Sequence, residues 1–213
     1  MSTVDVSVEL RPKLVGKRIK RTEDPRLLAG AGRYVDDMTP PGTLHIALRR
    51  SDMPHARIRG IDVGEAFSIP GVVAIFDATD LEGDLKPAIP TSRMKGYYAT
   101  PIWPLARGKV RYVGEPVVAV VAESRYAAED ALEFITIDYE PLPFAIRQVD
   151  AVADDAPLLH EEAGTNVIIS REFVRGDIDA VFDTAAVTVK GRFRMTRKTS
   201  VAMENRSYLA EWD

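Results

Sequence analysis

The chain has 213 residues, no cysteine, three histidines and a net charge of −4 from 28 basic and 32 acidic residues. The missing thiols remove disulfides, thiol catalysis, iron–sulfur ligation and cysteine zinc sites from this chain, and His45, His55 and His160 lie too far apart to form a metal-ligand motif. With 46% hydrophobic and 28% charged residues, no basic block and no apolar run of membrane-spanning length, the expectation is a globular cytoplasmic protein with neither nucleic acid nor membrane as partner.

Residues 1–15 read as an N-terminal tail, with Arg11-Pro12 blocking an early helix, and the basic run Gly16–Arg21 reads as a solvated arm. Thr22–Leu28 is predicted to be a helical turn with Asp24 as cap and Pro25 in its first position. The pair Gly30-x-Gly32 lacks both the preceding strand and the third glycine of a nucleotide loop, and is read as turn glycines. Pro40-Pro41-Gly42 turns the chain into a strand over Thr43–Arg50. His45 alternates with Leu44 and Ile46 there and is read as structural, and His55 as a loop anchor. Asp62-Val63-Gly64-Glu65 has the spacing of a capping box opening a short helix that stops at Pro70-Gly71, and Val72–Phe76 is the next strand.

Residues 82–108 hold four prolines and show no period around Tyr97, Tyr98 and Trp103, so an irregular packed loop is expected; exposed rings would mark an interface instead. The chain is organised around the apolar run Val117–Ala122. These six residues are bounded by Gly114-Glu115-Pro116 and Glu123-Ser124, the pattern of a strand buried on both faces. Pro116, with no N–H for a ladder, belongs at its first residue or on a bulge. Ser124 is placed to cap a helix over Tyr126–Phe134, and Phe134–Tyr139 reads as a further strand stopped by Pro141 and Pro143. No nucleophile and no phosphate loop occurs in this unit.

Residues 141–171 read as a solvated linker whose acidic pairs, Asp154-Asp155 and Glu161-Glu162, have no ordered oxygen-ligand loop around them. Gly176–Phe182 is expected to form a turn and a short helix, and Val187–Met195 a strand. Glu204 and Arg206 are expected to form a buried structural pair.

Several of these features occur together in an order that resembles one family. Glu23-Asp24-Pro25-Arg26, Tyr34, Asp36-Asp37, Arg50-Ser51, His55-Ala56-Arg57-Ile58, Pro70-Gly71-Val72, Val113-Gly114-Glu115-Pro116-Val117 and Asp138-Tyr139-Glu140-Pro141-Leu142-Pro143 are similar to the molybdenum hydroxylases. These are the large molybdopterin-binding subunits of xanthine dehydrogenase, aldehyde oxidase and carbon monoxide dehydrogenase. The likeness covers roughly residues 16–213. Ala202 and Asn205 depart from the prolines that usually flank the family's Met-Glu pair.

The resemblance implies an α+β fold: an N-terminal tail at 1–15, an α/β-hammerhead domain with a mixed sheet and short helices at 16–145, a linker at 146–170, and the incomplete start of a β-rich first molybdopterin-binding domain at 171–213. It implies oxidation of an aldehyde, an N-heterocycle or carbon monoxide with water as oxygen source. The cofactor would be a molybdopterin, in its cytosine dinucleotide form, holding molybdenum mainly outside this chain. FAD and [2Fe-2S] clusters would sit on partner chains, beside the remainder of the molybdopterin-binding subunit. The family's cofactor loops and its glutamate base match no position here, so no catalytic, cofactor-binding or metal residue is assigned and the chain alone is expected to be inactive. Three readings are open: a small subunit of a split enzyme, a piece of a full subunit, and a non-catalytic hammerhead module binding through the 82–108 loop.

Overall fold

The computed structural model describes residues 16–94, 96–196, 198–202 and 204–212. The chain separates into a larger compact unit, Gly42–Phe193, and a smaller one made of residues up to Pro41 together with those from Arg194 onward.

In the larger unit six strands form two antiparallel sheets. The first has the order β1 (His45–Arg50), β5 (Pro116–Ala122), β3 (Val72–Phe76), and the second β4 (Lys109–Val110), β2 (Ala56–Asp62), β6 (Thr136–Pro141). The apolar run becomes the central strand β5, paired on both sides, with Val117, Val118, Val120 and Ala122 fully buried. Pro116 opens the strand next to a register shift at Arg49/Arg50, where a missing N–H removes nothing from the ladder. Helix α2 (Arg125–Leu132) comes next, with the Ser124 hydroxyl accepting from Ala127 N at 3.1 Å as its cap. Its small residues Ala128 and Ala131 are buried and allow close approach to β1, β5 and β3. One core cluster joins these residues to Ala56 and Val110 of the second sheet and to Ile135.

Gly71 shows why this approach needs glycine. Its φ is +90°, a Cβ there would lie 3.5 Å from that of Ala127, and its carbonyl accepts from Glu123 N at 2.8 Å.

Several expectations change in detail. The strand–helix–strand unit does not pair its two strands: β5 is in the first sheet and β6 in the second, where it pairs with β2. Strand β2 itself was hidden in the sequence by a bulge, the register shift between Ile58 and Gly60, which breaks the two-residue period. The capping box at Asp62 does not form. Asp62 ends β2 and its carboxylate accepts from Gly64 N at 3.0 Å, while the 3₁₀ turn Ala66–Ser68 has no side-chain cap. Asp24 is the first residue of α1 (Asp24–Leu28) rather than its cap, and turns back to accept from Arg21 N and Nε.

In the rest of the larger unit, α3 (Gln148–Ala151) and α4 (Ile178–Thr184) are short. Asp177 caps α4 through Ala180 N at 3.0 Å, as the turn-plus-helix pattern implied. The strand expected over Val187–Met195 is absent among the described residues. Val187, Val189 and Phe193 are almost fully exposed, since alternation specifies two faces but only a neighbouring ladder makes a strand.

Val118→Ala is expected to lower stability by about 2 kcal/mol, the transfer and cavity cost of two buried methyls. Val73→Ala on exposed β3 surface should cost under about 0.5 kcal/mol. Urea unfolding of both variants checks this; equal effects would remove β5 from the centre of the core.

Candidate functional site

The turn leading into β5 is held by reciprocal backbone bonds. Gly114 N donates to Ser51 O at 2.7 Å, Ser51 N donates to Glu115 O at 2.9 Å, and Arg50 Nη1 reaches Gly114 O at 2.9 Å. Ser51 is buried, and its hydroxyl both accepts from Met53 N and donates to Met53 O. Nearby, His55 is only 4% exposed. Its Nδ1 lies 2.8 Å from Pro143 O, and because a carbonyl only accepts, Nδ1 carries the proton. Leu142 N donates to His55 O at 2.9 Å, so this histidine pins the exit of β6, as the loop-anchor reading required. His45 lies in the β1 ladder opposite Ala122.

From this turn, side chains reach the stretch read as a linker. Lys109 Nζ is paired with both oxygens of Glu161, Arg111 Nε donates to Leu159 O at 3.1 Å, and His160 Nδ1 lies 3.5 Å from Glu162. Asn166 uses its whole amide: Nδ2 donates to Ala151 O at 2.9 Å and Pro157 O at 3.0 Å, while Oδ1 accepts from Leu159 N. Tyr98 N donates to Ile168 O at 2.9 Å. Freely solvated is therefore the wrong description of residues 157–168. Backbone carbonyls there need donors, and Asn166, Arg111 and Tyr98 supply them.

The electrostatics are set by burial and pairing. The hydrogen bond from Lys109 holds the Glu161 carboxyl below the ordinary carboxylate range. Burial pushes Glu115 up, partly offset by the Arg111 and Tyr112 backbone N–H groups that it accepts from. These groups position chain segments. None of them faces a nucleophile or a reacting atom among the described residues.

Sequence reasoning missed Asn166, Lys109 and Arg111 as ties; a lone asparagine after Gly164-Thr165 signals only a turn. Asp154 and Asp155 are exposed, and no group of three His, Asp or Glu residues able to hold a metal occurs among the described residues. In the 82–108 loop, Leu105 and Ala106 are buried, Ala88 bridges Ile102, and Trp103, Tyr97 and Tyr98 are half-buried. In the smaller unit Glu204 does not form a buried pair with Arg206. It is exposed and accepts from Val35 N at 3.3 Å, at the start of the 3₁₀ turn Val35–Asp37.

The family model described as the a/b hammerhead domain of aldehyde oxidase and xanthine dehydrogenase matches residues 29–143, and that of a molybdopterin cofactor-binding domain matches residues 159–213. The chain belongs to the molybdenum hydroxylase family. It is 37% identical, over 94% of its length, to the nicotine 6-hydroxylase large subunit of Paenarthrobacter nicotinovorans, covering 24% of that protein. Identity to the carbon monoxide dehydrogenase large chain of Afipia carboxidovorans is 41% over 73% of this chain and 19% of that one. The crystal structure of quinoline 2-oxidoreductase from Pseudomonas putida 86 superposes with a TM-score of 0.75 at 36% identity, over 83% of this chain and 22% of that chain. The chain thus spans about a quarter or less of the length of these molybdenum hydroxylases.

Membership in this family implies a molybdopterin. The described residues do not form a cradle for it: from 171 to 212 every one of them except Ser207 is exposed, with no enclosed cavity to exclude water. The assigned hammerhead residues hold chain segments together and leave no polar set converging on a cofactor.

Because the folded-state pKa of Glu161 is lowered, its contribution is present above the unfolded-state value and is lost as pH falls through the folded one. Its side chain is 60% exposed, so the effect on global stability is small and the local effect is the one to read. Amide exchange at Leu159 and Gly164 is expected to rise as the pH is taken below the carboxylate range. Glu161→Gln should show the faster exchange already at neutral pH and lose the step; a step that survives the substitution assigns it to another group.

Proposed function

We propose that this chain supplies the hammerhead scaffold and the first part of a molybdopterin-binding domain to a molybdopterin-dependent hydroxylase or dehydrogenase. The hammerhead is assigned to residues 16–145, the connecting stretch to 146–170 and the molybdopterin-binding part to 171–213. The observation that carries this reading is the contrast between the two matched regions. The hammerhead residues close around one core, whereas residues 173–193 keep Phe173, Val174, Val181, Phe182, Val187 and Phe193 in water. Apolar surface of that extent calls for further polypeptide to cover it.

The substrate would be an aldehyde, an N-heterocycle or carbon monoxide, with water supplying the oxygen. When bound, the molybdopterin, in its cytosine dinucleotide form, supplies the redox chemistry, and the protein supplies position and surroundings. The catalytic residues are assigned to polypeptide beyond this one, and this chain alone is taken to be inactive. An FAD-binding chain and a [2Fe-2S] chain complete the electron path. The names of two relatives support such an assembly, one being a large chain and the other the gamma subunit of the 6-hydroxypseudooxynicotine dehydrogenase complex. Among the described residues no helix is long and apolar enough to cross a membrane, and we place the assembly in the cytoplasm.

Affinity purification from the native source, with molybdenum assayed in whatever accompanies the chain, tests this. The expected result is near-stoichiometric molybdenum together with a larger polypeptide. A lone metal-free protein would leave the non-catalytic binding role of the 82–108 loop as the better account.

A further inference from the structure

Strand β2 is fully accompanied on one side only. β6 runs beside it from Ala56 to Asp62, while β4 pairs with Ala56 and Arg57 alone, before one last bond from Ile58 N to Gly108 O at 2.9 Å. Past that bond Gly60, Ile61 and Asp62 have no ladder partner on the β4 side among the described residues. This edge opens onto a cleft of about 350 Å³, walled by the turn at Asp77–Thr79 and by Ala106–Gly108. The volume lies at the lower end of ligand clefts, enough for a short extended segment and too small for a folded element. Unpaired strand-edge N–H and C=O groups are a template for such a segment.

Charge in the cleft sets which segment. Arg107 lies with its guanidinium 3.8 Å from the Trp103 ring centroid, a stacking that holds the group while its N–H donors remain in the plane. The two carboxylates lining the cleft do little to neutralise it. Asp77 Oδ1 accepts from Thr79 N and Asp80 N inside its own turn, and Glu82 approaches Arg107 Nη1 only to 3.9 Å, beyond hydrogen-bond distance. Arg59, also lining the cleft, is paired with Glu140. Arg107 is thus a fixed and weakly matched cation beside an open strand edge.

We infer that this cleft takes a short extended acidic segment of a partner polypeptide, which adds to the open edge of β2 and places a carboxylate on Arg107. The inference rests on the assembly reading above only for the source of the segment. Recognition needs nothing but this chain, so it can fail while molybdenum still co-purifies, and the reverse.

The test is a titration of the full chain with the capped peptide acetyl-Val-Thr-Glu-Val-Thr-amide, monitored by backbone amide NMR. Shifts are expected to concentrate at Gly60–Asp62 and Arg107–Gly108. Both Arg107→Gln and a peptide carrying Lys in place of Glu should weaken binding by roughly fivefold or more, the usual scale of one exposed charged contact. The thermal midpoint of Arg107→Gln, unchanged, separates lost recognition from lost folding; if that variant unfolds, the Lys peptide on the native chain gives the same comparison. Absence of binding at millimolar peptide would overturn the inference. So would equal binding of the Lys peptide, shifts confined to the β1 edge or to residues 173–193, or inorganic phosphate reproducing the Arg107 shifts while the peptide leaves Gly60–Asp62 unmoved.

Discussion

Burial of β5 on both faces is the constraint on which the larger unit depends. A strand with no polar side chain from Val117 to Ala122 has to be covered above and below, because each exposed valine forfeits about 1.5 kcal/mol or more of transfer free energy. One core cluster links it to Ala128 and Ala131 of α2 and to Ala56 and Val110 of the second sheet. The strand has two neighbours in its ladder, so its backbone groups are also consumed. The same constraint selects small residues around it. Alanine in α2 and glycine at position 71 are what allow a helix and a turn to come so near the sheet.

That constraint explains which parts of the fold were legible. β5, its proline start, the Ser124 cap and the turn before α4 were readable because each is decided by a few consecutive residues. β2 was not. Its bulge at Ile58/Gly60 shifts the apolar positions out of a two-residue rhythm, and its partners β4 and β6 lie about fifty and eighty residues away in the chain. For the same reason the sequence could indicate β6 as a strand without telling which sheet receives it. Family resemblance carried the architecture where periodicity could not, since an ordered set of turn residues records long-range geometry that no window of the sequence contains.

The ties at the turn before β5 form a second, different layer of specification. Lys109, Arg111 and Asn166 act on the backbone or on single carboxylates between Ala151 and Asn166, and none belongs to a motif. Asn166 looks like any turn asparagine, yet it satisfies three backbone groups at once. Such residues cannot be told from solvated ones by composition, because the deciding fact is where distant carbonyls end up. Their chemistry also sets their limits. Hydrogen bonds of this kind contribute about 1 kcal/mol each, enough to order a segment and far from enough to define a fold without the apolar core beneath.

The stretch from 171 onward presents the converse case. Val187, Val189 and Phe193 alternate as a strand should, and α4 carries Ile178, Val181 and Phe182 at helical spacing. Both patterns were visible in the sequence, but only the helix formed. A helix closes its hydrogen bonds within itself, so α4 needs nothing but its Asp177 cap to exist while its apolar stripe stays exposed. A strand has no such recourse: its backbone bonds belong half to a neighbour, and alternation without that neighbour leaves an extended, exposed chain. Hydrophobic periodicity in this region is therefore information about a surface to be met rather than about local structure. The same logic applies to the open edge of β2, where the backbone rather than the side chains waits for a partner. In the hammerhead of this molybdenum hydroxylase, the core supplies rigidity, and the features left unpaired around it carry the information about assembly.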